Sequence, residues 1–147
     1  MTASILQENR DMIARYTDQP ARLPSQLRER IEQAWGGAPI LLYAMADLDA
    51  DMRLAQSWVA LGPSHVAVAQ PRKDAEDGFD LKLIETVDIR RVRDIPGLSC
   101  TTLNLLGGAD AQKDEALDTQ HYTHRQKRAM GNLQVDIDLR LKLEEPY

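Results

Sequence analysis

A single cysteine, Cys100, stands in the 147 residues of the chain. One thiol excludes an internal disulfide and any metal cage built from several cysteines, and it fits a reducing compartment. Positive charge is also scarce. Eighteen Lys and Arg face 23 Asp and Glu, for a net charge of −5. That sign argues against a general nucleic-acid binder, which must neutralise phosphates. Long hydrophobic runs are missing too: the longest, Ala38 to Ala46, falls far short of the roughly 20 residues that cross a bilayer. The N-terminal stretch MTASILQENRDMIARYTDQ has no apolar core of the signal-peptide kind. Thr2 in place of glycine excludes the myristoylation signal. A Gly-x4-Gly-Lys-Ser/Thr phosphate loop, a nucleophile elbow, a Ser-His-Asp order, internal repeats and low-complexity tracts are likewise absent. These absences lead to the expectation of a soluble, cytoplasmic, non-enzymatic chain without cofactor. Its 43% hydrophobic and 28% charged content is that of a folded protein. Its length suits one domain with a core that needs no staples.

What is present is a β-rich pattern. From Ile40 to Gln70, two apolar-rich runs flank the acidic break Asp47-Leu48-Asp49-Ala50-Asp51, and a shorter run follows the turn Gly62-Pro63-Ser64. Asp-rich and Gly-Pro breaks between such runs predict a meander of antiparallel strands. In the second run Met52, Leu54, Trp58 and Ala60 share one face, Gln56 excepted, and Arg53 and Ser57 fall on the other. That spacing predicts one face on a core and one towards water. Phe79, Leu81 and Leu83 alternate with polar residues as a further strand. Val87, Ile89, Val92 and Ile95 carry extended structure or a turn-rich connection towards Pro96-Gly97, and Ser99 to Leu106 reads as another strand closed by Gly107-Gly108.

Helices are expected in the N-terminal part of the chain. Ile5, Met12 and Ile13 sketch a short amphipathic helix over Ser4–Arg15, in an N-terminal arm of residues 1–22. A clearer helix over 24–35 opens with Pro24, carries the stripe Leu27, Ile31, Ala34, Trp35, and ends at Gly36-Gly37. Residues 72–78 and 109–120 read as polar loops. The segment 121–143 is open to two readings: Leu133, Val135, Ile137, Leu139, Leu141 and Leu143 alternate as in a strand, whereas Met130, Leu133, Ile137 and Leu141 form a helical stripe behind good helix formers. Trp35, Leu42, Trp58 and Val66 are expected in the core.

A helix, about six antiparallel strands and a C-terminal amphipathic segment resemble the α+β PH-like superfold with its GRAM-like branch. In that fold a bent antiparallel sheet, or partly open barrel, is plugged by a C-terminal helix. Ala34-Trp35-Gly36-Gly37, Leu41-Leu42-Tyr43, Asp47-Leu48-Asp49, Trp58 and Tyr122-Thr123-His124-Arg125-Gln126 look like the cytosolic PH-like domain that precedes the membrane and ATPase portions of a group of bacterial ABC exporters. The resemblance covers roughly Leu23 to Leu143 and tilts 121–143 towards helix. It implies a regulatory or scaffolding domain of residues 23–147 on the cytosolic face of the inner membrane, with ATP hydrolysis and transport outside these residues. Its expected partners are the transporter's own membrane and ATPase domains, an anionic membrane surface or a second copy. The alternative is a stand-alone lipid- or peptide-binding PH-like module.

Candidate sites are few. Asp47, Asp49 and Asp51 have the one-three-five spacing of a calcium loop, but Met52 and Trp58 occupy the positions that need glycine and glutamate. An acidic hairpin turn is the reading that survives. His121 and His124 would share a face on a helix, yet they lack a third ligand nearby. His65 is alone in a strand. Cys100, in a Thr- and Leu-rich strand without an activating base, reads as a small buried residue. The remaining candidates are two basic groups, Arg90, Arg91, Arg93 and Arg125, Lys127, Arg128, which suit weak docking to an anionic surface. Neither ATP nor a divalent metal is expected to bind.

Overall fold

The computed structural model describes residues 22–73, 78–97, 100–107 and 115–144. The helix expected over Ser4–Arg15 lies outside them. Helix α1 (Ser25–Ala34) is followed by seven strands: β1 (Leu42–Leu48), β2 (Leu54–Leu61), β3 (His65–Pro71), β4 (Phe79–Glu85), β5 (Ile89–Pro96), β6 (Thr101–Gly107) and β7 (Glu115–Tyr122). A short 3-10 turn, His124–Gln126, leads into helix α2 (Lys127–Glu144). The strands form one antiparallel sheet in the order β4-β3-β2-β1-β7-β6-β5. Two meanders, β1–β4 and β5–β7, thus meet where β1 touches β7, at the single register position Leu48–His121. The fold is α+β, with an open antiparallel sheet and a C-terminal helix.

The sheet is strongly bent. Were it flat, β4 and β7 would be about 19 Å apart, four strand spacings of roughly 4.8 Å. Instead the Lys82 ammonium on β4 donates to the Leu117 carbonyl on β7 and lies 3.7 Å from Asp118. The hollow this creates is filled by α2. Met130, Leu133 and Ile137 are fully buried against Ala44, Ala46, Val59, Leu61, Val66 and Val68 of one meander and Ile89, Val92, Leu103 and Leu105 of the other.

The outer face of β2 and β3 is covered as well. Trp58, Ala60, Ala67 and Ala69 pack against Leu27, Ile31 and Trp35, the small alanines leaving room for the helix. Both faces of β2 are therefore buried from Ser57 to Leu61, which overturns the expectation of a half-solvated strand. Leu54 and Met52, expected on its core face, are 85% and 50% exposed, because the core begins only at Ser57. Trp35, Trp58 and Val66 are buried and Leu42 is partly buried.

Helix α1 ends where glycine permits it. Gly36 and Gly37 have φ of 83° and 90°, left-handed values at which a side chain is strained. The Trp35 ring then lies under Gly62, where an added Cβ would stand 2.9 Å from it.

Two further expectations change. Residues 115–120, read as part of a loop, belong to β7. Residues 121–122 close that strand, and Lys127–Glu144 is helical, which decides the two readings of the C-terminal segment for helix. Val135 and Leu139, the members that suggested a strand, sit on the exposed side of α2, since residues two apart on a helix point to nearly opposite sides.

Candidate functional site

Three acidic residues expected in one turn have separate tasks. Asp47 is buried at the end of β1. Its Oδ1 accepts the Thr123 backbone N–H at 2.6 Å and its Oδ2 accepts the Thr123 hydroxyl, tying β1 to the entry of α2. Asp49 builds the β1–β2 turn: its Oδ1 accepts the N–H groups of Asp51 and Arg53, both at 2.9 Å. Met52 closes the turn at φ 63°, an uncommon setting for a side chain with a Cβ. Of the three, Asp49 and Asp51 line a polar hollow of about 280 Å³ beside this turn, with Ser57, Gln70, Thr119, Gln120 and His121 among its other walls.

The histidines do not pair. His121 is in β7, with Nδ1 3.1 Å from the Thr102 hydroxyl, and His124 opens the 3-10 turn. They occupy different elements, so a shared helical face is ruled out. Among the described residues no group of three or more His, Cys, Asp or Glu side chains is placed to hold a metal ion. His65 begins β3, stacked on Trp35 at 6.3 Å, with Ser64 Oγ at 3.0 Å and Glu85 at 3.9 Å. The Glu85 distance is beyond hydrogen-bond reach, and Ser64 and Glu85 are exposed. Cys100 precedes β6 rather than lying within it, and it is half-buried with its thiol 3.7 Å from the Met52 sulfur.

Two carboxylates sit on the inner side of the sheet. Burial pushes Asp118 above the usual carboxylate range despite the hydrogen bond from Gln120 Nε2 at 2.8 Å and the Lys82 ammonium. Burial likewise raises Asp94 against the hydrogen bond from Tyr122, and its Oδ1 is buried without a partner among the described residues. Tyr122 is in turn driven upward by burial and by the neighbouring Asp94 charge.

The basic groups divide. Arg90 sits where the β5–β6 register shifts and donates to the Gly107 carbonyl at 3.1 Å. Arg91 and Arg93 flank the buried Val92 and are exposed on the side of β5 away from α2. Arg125, Lys127 and Arg128 stand at the start of α2, beyond Tyr122, which pairs through Thr101 with the Pro96 end of β5. Arg90 is six strand residues from that end, roughly 20 Å away. Arg90 therefore stands apart from the group at the start of α2.

Arg128 leads to a feature that sequence spacing does not reveal. It lines a cavity of about 500 Å³ between α1, β1 and α2, together with Arg28, Ile40, Leu41, Leu42, Tyr43, Ala129 and Asn132. The Arg28 guanidinium lies 5.5 Å from the Tyr43 ring centre, a cation–π contact. Glu32, one helical turn on, holds Arg28 at 3.8 Å and accepts the Ile40 N–H at 3.3 Å. Tyr43 in turn meets Trp58 edge-on at 6.1 Å. The cavity thus has an aliphatic floor, one aromatic wall and two guanidinium groups, the mixture that suits small-molecule sites.

Among the described residues no helix is long and apolar enough to cross a membrane. No protein-family model matches the chain, and no curated protein matches it.

Proposed function

We propose that this chain is a PH-like module with a non-enzymatic, regulatory or scaffolding role on the cytosolic side of a bacterial ABC exporter. The observation that carries the PH-like reading is the strand order β4-β3-β2-β1-β7-β6-β5 in a bent sheet filled by the C-terminal helix. The exporter assignment rests on the resemblance of Ala34-Trp35-Gly36-Gly37, Trp58 and Tyr122 to Gln126. The residues that could serve chemistry are held in structural tasks: Asp47 and Asp49 in backbone hydrogen bonds, His121 on Thr102. Docking falls to Arg91 and Arg93 on β5 and to Arg125 and Lys127 at the head of α2, exposed cations whose attraction is screened within about 8 Å at physiological salt.

The reading frame past the Tyr147 codon tests the assignment. Membrane spans followed by a Gly-x4-Gly-Lys-Ser/Thr motif are the expected result. An immediate stop would overturn the exporter role and leave the stand-alone lipid- or peptide-binding module, which the cavity beside Arg28 favours.

A further inference from the structure

We propose that the outer edge of β4 pairs with the β4 edge of a second copy of this chain, joining the two sheets about a two-fold axis at Leu81. The direction of the backbone groups carries this. The Arg72 N–H donates to the Gly78 carbonyl at 2.7 Å, and the Thr86 N–H donates to the Ser64 carbonyl at 3.0 Å. These bonds fix the phase of the β3–β4 ladder at both ends, and the register between them is unbroken from His65–Glu85 to Pro71–Phe79. Hydrogen-bonded and non-bonded pairs alternate along antiparallel strands. Asp80, Lys82 and Ile84 therefore turn their N–H and C=O groups to β3, whereas Leu81 and Leu83 turn theirs away. Pro71 has no N–H to give, and it falls opposite Phe79 on a non-bonded position, as this phase requires. Strand β4 ends the strand order. Among the described residues nothing bonds the backbone of Leu81 or Leu83 on that side, and an edge of this kind is a template for another strand.

The two edges of the sheet are not alike. At β5 the register shifts between Ile89 and Arg91 and the strand ends in Pro96, and both features guard an edge against pairing. Strand β4 has neither. Its one inward cation, Lys82, is drawn across the hollow to the Leu117 carbonyl and Asp118. A second copy fits because the strand is self-complementary in one register. With Leu81 opposite Leu81, each Asp80 falls opposite the other copy's Lys82 on the inner face. On the outer face each Phe79 then meets Leu83, which is 41% exposed. A two-residue shift sets Lys82 against Lys82 one way and Asp80 against Asp80 the other, like charges directly opposite. A one-residue shift would exchange the two faces. Asp80 keeps its exposed pair with Arg72 at 3.8 Å in every register, so the sign of the opposing charge, not a new ion pair, selects among them. The two Leu81 residues exchange two backbone bonds. Each Leu83 N–H reaches a Phe79 carbonyl, beside the Arg30 guanidinium that this carbonyl already holds at 2.9 Å. An interface of one strand pair lies below the roughly 1,200 Å² of stable complexes, so the dimer is weak. The proposal stands whether or not the chain belongs to an exporter.

Sedimentation equilibrium of the full 147-residue chain, from about 5 μM to about 1 mM, is the experiment. A monomer–dimer equilibrium with Kd on the order of 10–100 μM is expected. Leu83→Pro removes an N–H that β3 does not use, which an edge strand tolerates. It should raise Kd about tenfold or more, with its folding checked by a urea melt. Asp80→Lys should weaken the dimer likewise, and Lys82→Asp in the same chain should restore it, because opposite signs then face each other again. Leu81→Cys in a Cys100→Ser background reads the register without a weakened variant. Cα atoms about 5.5 Å apart at a bonded pair lie within disulfide reach, so mild oxidation should link two copies faster than it links Leu83→Cys. A monomer throughout, a dimer as tight in Leu83→Pro as in the parent chain, a double charge variant no tighter than Asp80→Lys alone, or equal linking of the two cysteine variants overturns the proposal.

Discussion

Removing the Asp47 carboxylate should loosen the joint between β1 and α2 more than any exposed charge could. In Asp47→Ala two hydrogen bonds to a charged acceptor are lost, and the Thr123 N–H, held at 2.6 Å, loses its partner. Bonds of this kind contribute roughly 1.5–3 kcal/mol each, partly offset because a buried carboxylate is no longer desolvated. The expected net loss is about 3–4 kcal/mol, or a fall in Tm on the order of 10 °C for a chain of this size. Asp47→Asn keeps an acceptor for the N–H and should lose about half as much. Thr123→Val removes the hydroxyl alone, so with Asp47→Ala it should be markedly less than additive. Urea unfolding of the four variants measures all three terms. If Asp47→Ala cost less than about 1 kcal/mol, or Asn proved no better than Ala, the latch would be decorative and the reasoning wrong.

Trp58→Ala should cost roughly 3–5 kcal/mol, since Trp58 is 2% exposed between Tyr43 and α1. Trp58→Phe should cost no more than about 1 kcal/mol, because it also removes an indole N–H that is buried without a partner among the described residues; equal losses for the two variants in urea melts would contradict this packing. Met52→Gly relieves a left-handed residue at φ 63° and should raise stability by about 0.5–1 kcal/mol in denaturant unfolding; a loss would mean that the turn is not strained. Asp118 has a carboxyl pKa raised chiefly by burial, so its stabilising contribution is complete below the unfolded value near 3.9 and is lost as pH rises through the higher folded value. Asp118→Asn should therefore gain stability relative to the parent chain across that interval, and a pH series of melts in which the two curves stay parallel would refute it.

The legible parts of the fold were those with one buried face. The stripe Leu27, Ile31, Trp35 and the glycines after it mark α1 because its other side meets water. Strand β7 was hidden because two of its inward positions are held by Asp118 and Gln120 and only Tyr122 at its end joins the buried core, so no apolar alternation appears. In β2 and β3 the alternation vanishes for the opposite reason, both faces being buried. Helix α2 imitates a strand because Val135 and Leu139 are apolar yet exposed. Asp47 gave no sign of its role: an acceptor that serves a backbone group 76 residues away has no local pattern. The cavity is equally invisible, since Arg28, Leu42 and Arg128 converge only when α1, β1 and α2 are in place.

The near-independence of the two meanders has a consequence for the order in which the molecule assembles. Within each, every strand pairs with its neighbour in the chain, and hairpins of that kind close in roughly 1–10 μs. Neither half can finish alone, because its inner face is roofed by Met130, Leu133 and Ile137. Those residues are translated after both meanders. A nascent chain on the ribosome therefore lacks the cover for the inner faces of both meanders until α2 emerges, and this is the interval in which chaperones or aggregation would compete for it. The slow step should be the docking of α2, which closes the largest loops and gains contacts with both halves at once.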